Sequence, residues 1–250
     1  ITQRLIIYKD RKQIDFRTEV DWHQQHLLLK AAFPVEVRTR MATYEIQFGS
    51  LQRPTHWNTS WDYARFEMCG HKWADLSEHN WGVSLLNDSK YGHQLKDNWL
   101  RLTLIKSATE PDPVADQGSH QFTYSLYLHS GPVEEGGTAR AGYELNVPLR
   151  HSSAAGRGDW EPDASFLTPD PDNIIVEAVK KAEDSEELIV RLYESAGARG
   201  EGILNFGLEL ASAKEVNLLE EPIAEAKFAG KNLSFSYTPF EIKTFAVTFK

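Results

Sequence analysis

His56, His71 and His79, and the pair Asp116 and His120, bring together imidazoles and carboxylates of the kind that could hold a metal. The spacing His71-x7-His79 suits no common zinc motif, and the chain has neither Cys-x-x-Cys nor His-Glu-x-x-His. No metal ligand is therefore assigned, and these histidines are expected to lie on the surface or to anchor loops. The neighbouring carboxylates Glu134-Glu135 and Glu186-Glu187 are no better as an acid/base pair. Adjacent residues on a strand point to opposite faces, so neither pair converges on one substrate atom. Trp22, Trp57, Trp61, Trp73, Trp81 and Trp99 and all nine histidines lie at or before His151, and only Trp160 follows. Carbohydrate sites combine aromatic faces with polar side chains in this way, but a β core full of buried tryptophan has the same composition.

The elements that must position these groups are strands. From Arg4 to Asp21 an apolar stretch, a charged turn at Asp10-Arg11-Lys12 and the alternation of Ile14, Phe16, Thr18 and Val20 with Asp15, Arg17, Glu19 and Asp21 predict a hairpin with one wet face. The same period sets Leu100, Leu102 and Leu104 against Arg101 and Thr103. It also sets Phe122, Tyr124, Leu126 and Leu128 against Thr123, Ser125, Tyr127 and His129. Arg150 to Pro171, rich in Gly, Ser, Asp and Pro, reads as a loop containing a boundary, which divides the chain into 1–160 and 161–250. Beyond it Ile174–Val179, Leu188–Tyr193, Ile203–Leu210, Leu233–Tyr237 and Phe245–Phe249 predict a small antiparallel sandwich. Asp184–Leu188 and Asn217–Glu225 have some helical character but are too short to stand as helices.

The balance of 41% hydrophobic and 25% charged residues is that of a globular protein with a sizeable core. A net charge of −9 argues against nucleic acid, whose phosphates require a basic face. The single cysteine, Cys69, cannot form an intrachain disulfide, which points to a reducing, cytoplasmic setting. No apolar run has the length of a membrane span. The start at Ile1-Thr2-Gln3-Arg4, with no signal-peptide pattern, reads as a cut through a longer protein.

Gln52-Arg53-Pro54-Thr55-His56-Trp57-Asn58-Thr59-Ser60-Trp61-Asp62 is too polar for a core strand and too aromatic for a plain linker, so it reads as an ordered loop. It continues through Arg65-Phe66-Glu67 and His71 to Glu78 into Gly82 to Gly92. Leu100 to Lys106, Pro111-Asp112-Pro113, Ala115 to Tyr124 and the chain end Thr238 to Phe245 follow in order. This succession resembles the C-terminal region of family 38 glycoside hydrolases, in the branch of cytosolic, vacuolar and bacterial α-mannosidases.

The resemblance implies an all-β fold: a galactose-mutarotase-like super-sandwich followed by a small antiparallel β-sandwich domain. It also implies a retaining, zinc-dependent exo-α-mannosidase acting on mannose-containing oligosaccharides. Its two carboxyl groups and its zinc lie in an N-terminal catalytic domain outside this segment, so the segment alone is expected to be inert. A homo-oligomer is a further implication. In that frame Asp116, Gln117 and His120 either help line the sugar pocket or hold a turn, which Asp does readily. Lys106 stands where relatives carry Arg; it either hydrogen-bonds sugar hydroxyls, with a point charge in place of a planar fork, or is a solvated strand end. Tyr44 is implied to bring a hydroxyl near the pocket. Arg53 and His56, flanking Pro54, are expected to pin their loop to the neighbouring domain. A stand-alone carbohydrate-binding or structural β module, and the corresponding part of a mannosylglycerate hydrolase, are the alternatives.

Overall fold

The computed structural model describes residues 1–153, 161 and 163–250, which form two compact units, Ile1–Leu149 and Arg150–Lys250. The expected boundary at 160 and Trp160 lie outside the described residues. Unit one contains β1 (Thr2–Ile7), β2 (Gln13–Trp22), β3 (Leu28–Pro34), β4 (Met41–Ile46), β5 (Gly49–Pro54), helix α1 (Ser60–Tyr63) and β6 (Met68–Cys69). It continues with β7 (Trp73–Ser77), β8 (Trp81–Asn87), β9 (Gly92–Lys96), β10 (Trp99–Lys106), β11 (Gly118–Ser130) and helix α2 (Thr138–Asn146). Unit two has β12 (Leu167–Asp170), β13 (Ile174–Lys181), β14 (Leu188–Glu194), β15 (Gly200–Phe206) and β16 (Leu210–Val216). Its remaining strands are β17 (Pro222–Glu225), β18 (Lys227–Ala229), β19 (Asn232–Tyr237) and β20 (Ile242–Phe249).

The expected all-β class holds. Unit one is a seven-stranded sheet, β1-β2-β11-β8-β7-β4-β5, and a four-stranded sheet, β3-β10-β9-β6, enclosing one core. Leu85, Leu100, Leu102, Phe122 and Tyr124 are buried in it because they fall on the inward parity of their strands. Phe16 stacks on its cross-strand partner Tyr124 at 5.1 Å, with Phe33 of the opposite sheet 5.3 Å from Phe16. Unit two packs β12-β15-β19-β18 and β13-β14-β20-β16-β17 around Leu192, Leu204, Phe206, Leu233 and Phe245.

Several expectations change in detail. The stretch read as a loop up to Pro171 contains β12, an edge strand that tolerates Pro169 because its outer side needs no ladder donor. The run Ile203–Leu210 belongs to two strands, broken after Phe206. Thr238 to Phe240 is a turn with Phe240 at φ 57°, and the last strand starts at Ile242. Asp184–Leu188 and Asn217–Glu225 are not helical, as expected, and the unanticipated helices among the described residues are Ser60–Tyr63 and Thr138–Asn146.

The largest correction concerns the outer face of the seven-stranded sheet. Asp15, Ser125 and His129 were expected to be wet, yet all three are buried, while Leu128 is 38% exposed. Helix α2 covers this face, packing Ala141 against Trp73, Leu86 and Val133. Small residues allow the approach: a Cβ on Gly142 would meet Trp73 Cδ1 at 2.8 Å, and one on Gly136 would meet His129 Nδ1 at 2.2 Å. The carboxylates and hydroxyls beneath are paired, as burial requires, and His129 is bonded through Nε2 while its Nδ1 has no partner. Asp75 accepts from Ser84 Oγ at 2.7 Å, from His129 Nε2 at 2.8 Å and from the Ser77 hydroxyl. Thr138 at the start of α2 joins the network through Ser84, 2.7 Å away. Asp15 accepts from Tyr8, Gln13 and Ser125.

Asp75→Ala should therefore lower the stability of unit one by about 3–5 kcal/mol, because it strands buried donors on three strands. Ser77→Ala, at a half-exposed position, should cost no more than about 1 kcal/mol. Urea unfolding followed by tryptophan fluorescence measures both, and equal losses would contradict a central role for Asp75.

Candidate functional site

Lys106, Asp116, Gln117 and His120 are gathered where the chain passes from β10 to β11. Strict alternation from Leu100, Leu102 and Leu104 would turn residue 106 inward. A register shift between Thr103 and Ile105 instead buries Leu104 and Ile105 in succession and sends Lys106 to the surface. Its ammonium has no carboxylate partner among the described residues, although its field helps to lower the Glu67 carboxyl. Burial raises Glu67, but hydrogen bonds from Lys30 and Thr103 outweigh it.

Asp116 sits at φ 59°, a left-handed conformation that Asp tolerates better than most residues. One carboxylate oxygen accepts the Lys106 backbone N–H at 3.0 Å, and the Asp116 carbonyl accepts from His120 Nε2 at 2.8 Å. That acceptor places the His120 proton on Nε2. Gln117 donates to the Gln24 carbonyl at 2.7 Å, tying the loop to the segment after β2, where His26 meets Thr109 at 3.1 Å. Asp116 thus holds the turn while its second oxygen stays available. Lys90 is a cation that the sequence reasoning passed over. Burial lowers its ammonium against the opposing pull of Asp116 and Asp88, and its Nζ lies 4.5 Å from the centre of the Phe122 ring.

Tyr44 is elsewhere. It is fully buried in the core on β4, with the Arg53 guanidinium of the adjacent edge strand 4.6 Å over its ring and His93 edge-on at 6.1 Å. Burial pushes its phenol up to about 12, against the pull of Arg53. No hydrogen bond, ion pair or ring contact joins Tyr44 to the Lys106–His120 loop among the described residues. Arg53 also donates to the Cys69 carbonyl at 2.8 Å, so it pins β5 to β6 within this unit. His93 was missed, although its parity with Leu95 on β9 marks it as inward-facing. Its Nδ1 faces the Tyr91 carbonyl at 3.3 Å, its Nε2 has no partner, and burial lowers the imidazole to about 4.

His56 borders an open pocket of about 570 Å³ lined by Arg38, Arg40, Thr55, Asn58, Asp97 and Asn98, among others. Its nearest charged neighbour is Asp62, 3.8 Å away. Backbone bonds from Thr55 to Arg40 and from Asp97 to Thr55, at 3.0 and 2.8 Å, hold the walls together. Among the described residues no group of three or more His, Cys, Asp or Glu side chains converges as metal ligands do.

Two family models match this chain: the C-terminal domain of glycosyl hydrolases family 38 over residues 1–114, and the family 38 C-terminal β-sandwich domain over residues 173–245. The chain belongs to glycoside hydrolase family 38. As a family 38 C-terminal region it is 41% identical to α-mannosidase G of Dictyostelium discoideum over 98% of its length, and 40% identical to human α-mannosidase 2C1 over 97%. It spans only 23% and 24% of those relatives. The fold matches that of an α-mannosidase from Enterococcus faecalis V583 with a TM-score of 0.81 at 22% identity, covering 98% of this chain and 28% of the other.

In this family 38 chain His93 gives a pH signature. Its folded value of about 4 lies below the ordinary 6.5, so the unfolded state takes up the proton first as pH falls. Stability is full above about pH 6.5 and declines by about 3 kcal/mol as pH falls towards 4. His93→Gln should flatten the unfolding free energy between pH 4.5 and 6.5. An unchanged slope would contradict the assignment.

Proposed function

We propose that this chain is the C-terminal portion of a retaining exo-α-mannosidase that hydrolyses terminal α-linked mannose, and that it supports and completes an active site housed in the N-terminal portion. The observation that carries the reading is the match, at about 40% identity over nearly the whole chain, to α-mannosidases of which it makes up about a quarter. The buried carboxylates agree with it, because they are committed to structure. Asp15 and Asp75 each accept three side-chain donors, and Glu194 accepts from Asn173, Ala196, Gly197 and Phe240. The described residues do not fit a zinc site, so in this reading the metal is held by the rest of the protein. No helix is long and apolar enough to cross a membrane. The exposed thiol of Cys69 suits a cytoplasmic setting.

The loop from Lys106 to His120 is the part of the chain offered to substrate. Lys106 supplies an unpaired cation, and the free oxygen of Asp116 supplies an acceptor for a sugar hydroxyl. The full-length protein should turn over p-nitrophenyl α-mannoside, whereas residues 1–250 should not, with or without zinc; turnover by the shorter chain overturns the reading.

Asp116→Asn separates the two roles of that residue, since Asn accepts the Lys106 N–H and adopts the left-handed conformation but lacks the charge. In the full-length enzyme it should lower kcat/KM about tenfold or more while leaving Tm nearly unchanged. Unchanged kcat/KM would reduce Asp116 to a turn anchor.

A further inference from the structure

Between β5 and β6 the chain presents aromatic side chains to solvent. Trp61 is 78% exposed, Tyr63 58% and Phe66 57%. Trp57, Tyr63 and Phe66 pack on one another, with centroids 5.4 to 6.5 Å apart and interplanar angles of 71° to 90°. The loop is built rather than loose. Thr59 caps α1 by accepting the Asp62 N–H at 3.1 Å and donates its hydroxyl to the Asp62 carboxylate at 2.9 Å, while Lys96 lies 3.8 Å from the Trp57 ring centre.

An ordered aromatic surface of this kind is costly to leave in water, and Trp, Tyr and Arg are the residues that anchor interfaces. Arginines accompany it. Arg65 lies within the loop, and Arg38 and Arg40 line the pocket that the loop's own His56 and Asn58 complete. None of the three guanidinium groups forms an ion pair among the described residues, although the Arg38 backbone N–H donates to the Glu78 carboxylate at 2.9 Å, in a chain with an excess of acidic groups. The missing partner is therefore a surface with apolar cavities and carboxylates. A sugar fits less well, because the Trp57, Tyr63 and Phe66 rings meet edge to face and do not form a shared flat platform.

About three quarters of each α-mannosidase relative lies outside the region matched by this chain, and a segment of the same polypeptide is present at high effective concentration. We propose that the Trp57–Phe66 surface, with Arg38, Arg40 and Arg65 at its side, is where the N-terminal portion of the full-length protein docks. The proposal rests on the reading of this chain as part of an α-mannosidase.

Hydroxyl-radical footprinting of the native full-length protein tests it. Trp61, Tyr63 and Phe66 should be modified at least about fivefold more slowly than in the urea-unfolded protein, approaching the buried Trp73, because an interface core excludes solvent. Labelling of Trp61 near the unfolded rate overturns the proposal. So does protection that disappears on dilution to the monomer, which would identify a second copy, or protection that needs added mannotriose, which would identify a sugar site. Turnover of p-nitrophenyl α-mannoside by the same preparation separates the two ideas. An active enzyme with exposed rings sinks docking alone, and protected rings without turnover sink the mannosidase reading alone.

Discussion

Burying polar groups on the outer face of the seven-stranded sheet is the constraint around which unit one is arranged. A carboxylate in that environment needs donors, and Asp75 draws them from its own strand β7, from Ser84 on β8 and from His129 on β11, three neighbours in the sheet. Thr138 extends the network into α2, so the helix is held by apolar contact with Trp73 and Leu86 and by a hydrogen-bonded link of defined geometry. The pleat then fixes the rest of β11. Once His129 points outward, Phe122 and Tyr124 must point into the core, and the start of the strand is delivered beside Asp116. The network at His129 and the candidate substrate loop ending at His120 are about 30 Å apart along a single strand.

Legibility in the sequence follows the same physics. Period-two alternation exposed β2 and β10 because each has one face on the Phe16, Leu100 and Leu102 core. It misassigned Ser125 and His129 because a helix distant in pairing terms covers the other face, and alternation records polarity, not cover. The signal for that cover was present in the small residues Gly136, Gly142 and Ala141, which permit a close approach that larger side chains would block. Lys106 illustrates a second limit. Its exposure depends on a one-residue register shift, and a bulge leaves no mark in an alternating run.

Among the proposed site residues, the sequence reading grouped Lys106, Asp116, Gln117 and His120 because they are close along the chain, and they are close in space. It could not group Tyr44 with His93 or separate it from the loop, since those relations depend on which strands of the two sheets face each other. Tyr44 is a core residue with its phenol held up to about 12 by burial, a poor match to a hydroxyl offered to substrate within this unit.

A consistent division of labour runs through the polar groups. The carboxylates with most burial, Asp15, Glu45, Asp75 and Glu194, accept hydrogen bonds from donors of their own unit, which suits anchors. Lys106, Arg38, Arg40 and Arg65, by contrast, form no ion pair among the described residues, and one oxygen of Asp116 accepts no hydrogen bond there. An autonomous hydrolase needs the opposite arrangement, with carboxyl groups held close together and free of structural partners. The proposed incompleteness of this chain is therefore expressed in how its hydrogen bonds are distributed as well as in its length relative to the α-mannosidases it resembles.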